Sequence, residues 1–457
     1  MIFLSKIKEI FGVEEVTSLA MANALNNAER IYKGNPEWID KDDGVKTVNF
    51  AKSLCSETAR LATLAIKINI DGSARAEWLQ KQIDNIYFKI REWVEYGCVY
   101  GTVIIKPDPD GITLFTPENY VITEYRNKTI TGIVFVYHQK KGDKYYTRFE
   151  YHHYVNKEEY TVYNRCFVGA SFNSVSESVD VSLTPWNGIN EDTNIVNVEH
   201  PLYGVFKTPQ ANNIDIDSAI GVPIFHEAIT ELEDLDIAYS RNAKEIKDSK
   251  RILLLDSDRM IPNDGKKISD LQSNFESNRT AMGLPDMVKN VWGDGKDSFY
   301  QEINPTLKTD MRLSGINALL SQIGYKVGYS NGYFVFNESA GIQTATGVEA
   351  EQQRTIQFIK DVRDKLEDCL NDVIAGLNMY ATVYGLAPYG EYEVVYDFSD
   401  ITYNYEEDKS RWWGYVVAGK VPAWRYFVKF EGMSEEDAKA MLDEAQPKEP
   451  SLFGGEE

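Results

Sequence analysis

The sequence predicts an α+β fold, in which a β-rich region is followed by several long helices. Residues 101–197 contain short segments rich in β-branched and aromatic residues, separated by turns at 108–111 and 141–143. This pattern is typical of an antiparallel meander. Apolar residues then recur every three or four positions over 222–247, 306–327 and 346–385, which predicts three amphipathic helices.

The longest predicted helix covers 346–385. Thr346 and Glu349 have the spacing of a capping box, and Gly385 followed by Pro388 is a stop signal. At about 1.5 Å per residue this helix reaches on the order of 60 Å, which is longer than one compact domain needs. Its expected buried stripe comprises Ile356, Ile359, Val362, Leu366, Leu370, Val373, Leu377 and Tyr380.

The other elements are shorter. Helices are expected within 1–30, 46–66, 76–85, 86–99 and 401–443, the last group including an N-cap at Ser434 with Asp437. Strands are expected at 67–70, 251–258 and 391–399. The run of four apolar residues at 252–255 suits burial either within its own module or against a neighbouring subunit, and the sequence leaves both open. Residues 431–457 carry nine acidic and two basic residues, and the last ten are expected to be disordered.

Composition limits the classes of function. The net charge of −22 argues against a protein that reads DNA sequence through a basic patch. An acidic wall suits a surface past which DNA slides without sticking, although acidity that serves only solubility explains the same charge. The four cysteines are scattered, which predicts neither disulfides nor a zinc site, and no apolar run reaches transmembrane length.

The sequence carries no complete catalytic or metal-binding motif of a common type. The sequence at 293–296 lacks the spacing of a phosphate-binding loop, and His226-Glu227 lacks the second histidine of a zinc protease helix. His152 and His153 are neighbours on a predicted strand and so point to opposite faces. Asp397 and Asp400 have the residue types of a glycosidase carboxylate pair, but such pairs are frequent by chance in a chain with 70 acidic residues. We therefore expect a protein without enzymatic activity, metal or cofactor.

Five segments carry a resemblance to a known family: IYKGNPEWI, VNFAKSLCSETARLA, GVPIFHEAITELEDLDIAYS, MRLSGINALLSQIGY and TATGVEAEQQRTI. In this order the chain resembles the portal proteins of tailed double-stranded DNA bacteriophages, particularly of siphophages of Gram-positive hosts. The resemblance implies a virion protein that forms a ring, usually a dodecamer, at one capsid vertex. It also implies contact with non-specific double-stranded DNA, the large terminase, a head–tail adaptor, and the major capsid and scaffolding proteins, and no membrane partner.

The resemblance implies a phage-portal fold with seven parts. These are a wing (1–216), a first stem helix (217–247), a clip (248–305), a second stem helix (306–327), a tunnel loop (328–345), a long bridging helix (346–385), and a helical crown with an acidic tail (386–457). The ring would conduct DNA during packaging and ejection and would be made in the host cytoplasm. Two alternatives remain open: another head–tail protein of the virion that does not thread DNA, and an acidic enzyme whose site the sequence does not reveal.

Three residue sets follow from this assignment. The tunnel loop would present polar, nearly uncharged contacts to DNA, unless it is an ordinary surface loop; they are Ser330, Asn331, Asn337, Glu338, Ser339 and Gln343. The aromatic residues Tyr329, Tyr333, Phe334 and Phe336 would pack beneath it. The stem would pair neighbouring subunits, or carry solvated charges, through Glu231, Asp234, Arg241 and Lys244. The clip would contact the adaptor through Arg251, Leu253, Leu255, Asp264 and Lys266.

Overall fold

The computed structural model describes residues 3–39, 44–108, 111–172, 174–248, 252–256, 288–291, 300–303, 308–335, 345–398, 405–418, 420–431 and 433–445. The chain divides into two compact units. The first consists of Met1–Thr63 and Lys67–Tyr396, and the second of Leu64–Ile66 and Asp397–Glu457. Antiparallel sheets and long helices occupy separate stretches of the first unit, so the fold is α+β, as predicted.

Eight helices are described in the first unit and three in the second. The first eight are α1 (Leu4–Phe11), α2 (Leu19–Tyr32), α3 (Phe50–Ala62), α4 (Ala74–Asp84), α5 (Ile90–Tyr100), α6 (Ile229–Asp248), α7 (Thr309–Val327) and α8 (Ala345–Val383). The last three are α9 (Tyr405–Val417), α10 (Ala423–Glu431) and α11 (Glu435–Ala445). The predicted cap of α11 is confirmed, because the backbone N–H of Asp437 donates to Ser434 Oγ at 3.1 Å.

The described strands form four sheets. They are β1 (Lys67–Asp71), β2 (Thr102–Asp108), β3 (Gly111–Phe115), β4 (Tyr120–Arg126), β5 (Thr129–Lys141), β6 (Lys144–Asn156), β7 (Glu159–Gly169), β8 (Glu177–Val179), β9 (Asp192–Ile195), β10 (Gly204–Lys207), β11 (Ile252–Asp256), β12 (Val288–Val291), β13 (Tyr300–Ile303) and β14 (Glu393–Asp397). The largest sheet has the order β4-β5-β6-β7-β8, with β9 also paired to β7, and it confirms the predicted antiparallel meander. The smaller sheets are β10-β2-β3, β12-β11-β13 and β1-β14.

The large sheet is covered on both faces, because successive apolar side chains of β5 pack into two different clusters. Ile133 and Phe135 pack in one cluster with Met21 and Leu25 of α2. Val134 and Val136 point to the opposite face and pack in another cluster with residues of α1, including Ile7. Because successive strand residues point to opposite faces, a run of buried apolar residues is expected in a sheet covered on both sides.

Helix α8 is 39 residues long and confirms the long helical pattern. The predicted stripe is buried from Ile359 to Tyr380, whereas Ile356 is half-buried. Gly385 follows the helix with a φ of +63°, a conformation that favours glycine and explains the stop signal. The side chains of Thr346 and Glu349 lie outside the described residues.

The predicted start of the helix at 222 is wrong. A short 3₁₀ turn covers His226–Ala228, and α6 begins at Ile229. The preceding backbone bonds to other elements instead: Ile224 N–H donates to Cys98 O at 3.0 Å, and Val222 O accepts from Thr208 Oγ1 at 2.7 Å. These bonds use the groups that a helix would need, so Pro223 lies before the helix rather than in its first turn.

Asp372, a half-buried residue of α8, provides a pH-dependent test of how α8 is packed. Burial raises the pKa of its carboxyl to about 6, with His200 opposing and Asp368 adding to the shift. A raised carboxyl pKa means that ionisation destabilises the fold, so the stability contribution is fully present below the unfolded pKa of about 3.9 and is lost as the pH rises through about 6.

We therefore expect Asp372→Asn to raise the free energy of unfolding by about 1–2 kcal/mol at pH 7.5 and by much less at pH 4. Urea unfolding at the two pH values measures this difference. Gln353→Asn, a change of one uncharged amide for another at an exposed position of the same helix, serves as the control and should give equal effects at both pH values. An Asp372→Asn effect that does not change with pH would contradict the assignment.

Candidate functional site

Helices α6 and α7 form an antiparallel pair. Near the start of α6, Glu231 Oε1 accepts from Lys326 Nζ at 2.5 Å and from Gln322 Nε2 at 3.2 Å, both near the end of α7. At the other end of α6, Glu245 forms an ion pair with Arg312, near the start of α7. These contacts join the start of each helix to the end of the other, so the two helices are antiparallel. Strands β11–β13 lie between them in the sequence.

The pair is attached to the N-terminal segment of the chain. Asp236 of α6 is buried, and its carboxylate accepts from Trp38 Nε1 at 2.9 Å and from the backbone N–H of Val48 at 2.8 Å. Because both carboxylate oxygens are bonded, the buried charge is compensated by two donors. Trp38 holds the turn after α2 against this helix.

The four predicted stem residues divide into two groups. Glu231 is used within the chain, as described above, and its observed partners lie on α7. Asp234, Arg241 and Lys244 are exposed on α6. Four large apolar side chains are also exposed on the described part of the pair, Tyr239 at 45%, Ile246 at 54%, Met311 at 75% and Tyr325 at 53%. The pairing of these residues between subunits stays a prediction.

The segment after α7 turns sharply at Gly328, which has a φ of +126°. A Cβ at this position would lie 2.7 Å from the Phe358 ring, so glycine is required for both its conformation and its size. The next residue, Tyr329, is fully buried, and its hydroxyl lies 2.7 Å from Thr58 Oγ1 of α3. The turn therefore joins α7 directly to the faces of α3 and α8.

Ser330 is bonded to α8 in both directions. Its backbone N–H donates to Thr355 Oγ1 at 2.8 Å, and its hydroxyl accepts from the backbone N–H of Thr355 at 3.3 Å. Ser330 is only 6% exposed. Ser330, predicted as a DNA contact, is buried within the chain and bonds the segment after α7 to α8, whereas its contact with DNA stays a prediction.

Three of the four loop aromatics pack inward, as expected. Tyr329 and Phe334 have ring centroids 4.8 Å apart, and Phe334 meets Phe50 of α3 edge-on at 5.3 Å. The Tyr333 hydroxyl donates to Glu57 Oε1 at 2.6 Å. Phe336 lies outside the described residues. These contacts give residues 328–334 a rigid base on α3.

Asn331 is the exposed polar residue of the described loop segment, and its side-chain oxygen accepts from Ser321 on α7. Asn337, Glu338, Ser339 and Gln343 lie outside the described residues, so their facing DNA stays a prediction. Of the predicted clip contacts, Leu253 and Leu255 lie on β11, whereas Arg251, Asp264 and Lys266 lie outside the described residues. Strand β11 pairs in parallel with β12 and antiparallel with β13 of its own chain. Of the two alternatives for residues 252–255, the backbone pairing is therefore within its own module.

Two buried arginines fix the long helix at separate points. Arg363 of α8 donates to the carbonyls of Leu61 and Ala62, at 2.9 and 3.1 Å, where α3 ends. Arg75 of α4 holds the C-terminal end of α8. Its guanidinium donates to five acceptors, the side chains of Asn378 and Thr382 and the carbonyls of Asn378, Ala387 and Pro388.

Sequence reasoning missed a buried cluster of charges between the large sheet and the β10-β2-β3 sheet. Lys106 pairs with Asp108 and lies 3.1 Å from Glu150, and Arg148 lies 3.2 Å from the other Glu150 oxygen. His152 Nε2 lies 2.7 Å from Glu150. A usable signal was present, because residues 148, 150 and 152 alternate along β6 and must share one face.

Electrostatics keep this cluster ionised around a neutral histidine. Burial alone would raise the pKa of Glu150, but Lys106 and Arg148 outweigh it and hold that pKa well below its usual range. Burial lowers the pKa of His152, which therefore stays neutral at pH 7 although Glu150 opposes the shift. His153 points to the other face and lies 3.1 Å from Glu124, as expected from strand alternation.

The described residues meet the requirements of neither a metal site, nor a membrane-spanning helix, nor a reactive thiol. Among the described residues, no group of three or more His, Cys, Asp or Glu side chains could hold a metal ion. No helix within the described ranges is long and apolar enough to cross a membrane. The four cysteines are buried and free, and burial raises the pKa of the Cys98 thiol, which disfavours a reactive thiolate.

Comparisons with known proteins give little further definition. No family model matches the sequence, and no curated protein matches it. One solved structure similar to the chain is described as the neck of an empty GTA particle computed with C6 symmetry. It shares 8% identity and a TM-score of 0.44, over 89% of this chain and 93% of the other. A likeness at this level does not define a shared fold.

Proposed function

We propose that this chain is a portal protein of a tailed double-stranded DNA bacteriophage, of the siphophage type found in Gram-positive hosts. The observation that carries the proposal is the arrangement of α6, α7 and α8. An antiparallel helix pair encloses a three-stranded module in sequence and leads through an anchored turn into a 39-residue helix. This is the order of stem, clip, stem, tunnel loop and bridging helix that the family resemblance implies.

The proposed function is structural. A ring of these chains at one capsid vertex would conduct DNA during packaging and ejection. It would dock the large terminase and later the head–tail adaptor through the clip, and the major capsid and scaffolding proteins around the wing. No enzymatic step is proposed for this chain. Helices α9–α11 of the second unit would form the crown.

Charge and exposure support a conduit. With a net charge of −22, the chain repels phosphates on average, so DNA can pass without being held by a basic groove. Tyr239 and Met311 on the helix pair are large, apolar and exposed, at 45% and 75%. Contact with an adjacent copy would remove them from water, and copies that repeat such a contact around an axis close into a ring.

The first test is the assembly state of the purified protein. We expect hollow rings in negative-stain images and, for a dodecamer, a mass near 620 kDa by light scattering, about twelve times the 52.0 kDa chain. The double variant Tyr239→Glu and Met311→Glu should shift the population to single chains without loss of helical content, since both side chains are exposed.

A matched control is Leu183→Glu, because Leu183 is similarly exposed, at 72%, but lies outside the helix pair. It should leave the rings intact. A compact monomer at every concentration would overturn the proposal. Rings with a channel too narrow for duplex DNA would instead favour a head–tail protein of the virion that does not thread DNA.

A further inference from the structure

A cavity of about 460 Å³ lies beside the buried charge cluster, within the size range of small-molecule sites. Its polar wall includes Arg148 of β6, Asp108 of β2, and Lys89, which directly precedes α5. The rings of Tyr137 and Trp186 and the side chains of Ile86 and Ile112 also line it. None of these residues belongs to the stem, clip or tunnel loop, so the proposed conduit gives the cavity no role.

Arg148 is the unusual group in this wall. Its side chain is only 3% exposed, and its Nε has no hydrogen-bond partner among the described residues. The guanidinium lies 3.9 Å from the Tyr137 ring centroid and 5.3 Å from that of Trp186. Stacking on rings satisfies the faces of a guanidinium but leaves its in-plane N–H donors available. A buried donor without an acceptor is costly, so an acceptor supplied by a ligand would be favoured.

The balance of charge indicates how many charges that ligand carries. Glu150 already lies beside Lys106, Arg148 and His152, and its Oε2 makes an ion pair but no hydrogen bond with Arg148. Asp108 is taken by Lys106 and the Tyr137 hydroxyl. The cavity wall itself carries two cations, Arg148 and Lys89, and one anion, Asp108. One added negative charge neutralises this wall, whereas a dianion would meet the nearby carboxylates with an uncompensated charge.

The rest of the wall indicates the body of the ligand. Two aromatic rings and the isoleucine side chains offer apolar contact, while the amides of Gln82 and Asn85 add neutral polar groups. A planar apolar group would pack against these rings, and a carboxylate matches the fork of donors on a guanidinium.

We propose that this cavity binds an aromatic monocarboxylate, with the carboxylate accepting from Arg148 and Lys89 and the ring packed against Trp186 and Tyr137. The carboxylate comes either from a free small molecule or from the end of a peptide chain. Both sources present the same chemistry to the wall.

Titration of the full chain by calorimetry and ligand-observed NMR tests the proposal. Sodium benzoate represents the free acid, N-acetylphenylalanine represents a chain end, and its primary amide removes the charge. We expect saturable binding of one or both acids, at one site per chain, with a dissociation constant on the order of 1 mM or tighter. The amide should bind at least about tenfold more weakly, since it loses the charge-assisted bonds.

Variants locate the binding. Arg148→Met should weaken the favoured acid at least about tenfold and Lys89→Ala about threefold, because Lys89 lies exposed at the rim. Lys81→Ala is the matched control, an exposed lysine of α4 outside the cavity wall, and should change nothing. If Arg148→Met does not fold, Lys89→Ala and the amide still decide the result.

Absence of saturable binding for both acids would overturn the proposal, and so would binding that Lys89→Ala and the amide substitution leave unchanged. Inorganic phosphate at the same concentration should not displace the acid, and displacement would contradict the monocarboxylate assignment. Tighter binding of N-acetylphenylalanine than of benzoate would identify a chain end as the source, and the reverse order a free acid. These readouts do not depend on ring assembly, so they fail or succeed separately from the proposed function.

Discussion

Arg75→Met is expected to lower the free energy of unfolding of the first unit by about 3–5 kcal/mol. The arginine side chain is 1% exposed and joins α4 to the C-terminal end of α8 and the segment beyond it. Its positive charge is balanced by the negative end of a helix dipole and by carbonyl oxygens rather than by a carboxylate. Removing the guanidinium deprives the carbonyls of Ala387 and Pro388 of a charged donor, and each such part-buried bond contributes about 1.5–3 kcal/mol.

Urea unfolding followed by circular dichroism measures the loss, and hydrogen exchange should locate faster exchange at the end of α8. Arg75→Lys should recover only part of the stability, because one ammonium cannot serve acceptors spread over a planar fork. Arg60→Met is the control. Arg60 pairs with Glu57 at the surface, so its loss should cost less than about 1 kcal/mol. Equal effects of the two methionine variants would refute the role assigned to Arg75.

Gly204→Ala is expected to cost about 3 kcal/mol, the upper end of the usual range for overpacking. A Cβ on this residue of β10 would lie 2.2 Å from the carbonyl oxygen of Cys369 and 2.7 Å from Val373 on α8. A backbone carbonyl cannot move aside as a flexible side chain can, so the helix and the strand must separate.

Thermal unfolding measures the loss at Gly204, with Gly188→Ala as the control. An added Cβ at Gly188 meets nothing within 4 Å, so the control should stay within about 0.5 kcal/mol of the parent chain. If Gly204→Ala were as stable as the control, the contact between β10 and α8 would be looser than described.

Helices and strands whose apolar residues follow a regular period were predictable from the sequence. The stripe of α8 and the alternation in β5 and β6 are local patterns that specify a helix and strands before any packing is known. The start of α6 was missed because residues 222 and 224 bond to Thr208 and Cys98, which are distant in sequence. Tertiary hydrogen bonds override a continuous apolar pattern, and no local signal records them.

The same contrast holds for the candidate site. Tyr329, Tyr333 and Phe334 were expected to pack beneath the predicted loop rather than face DNA, and they pack against α3 and α8. Ser330 was predicted to contact DNA as a polar, uncharged residue of the loop, whereas its bonds to Thr355 depend on a residue 25 positions away. Alternation along β6 predicts that residues 148, 150 and 152 share a face, but it does not predict that this face lies against Lys106 and Asp108 of β2.

The bond between Arg363 and Ala62 has a consequence for how the chain is made. These residues are 301 positions apart, and the contacts of Tyr329 and Tyr333 with α3 span almost as far. At a synthesis rate of about 5–20 residues per second, about 15–60 s pass between the synthesis of Ala62 and that of Arg363. Helix α3 can pack on α2 and α5 early, but the carbonyls at its end and the surface that receives Tyr329 and Tyr333 stay open to water during that interval. A chain whose translation stalls before residue 363 therefore keeps this part of α3 uncovered.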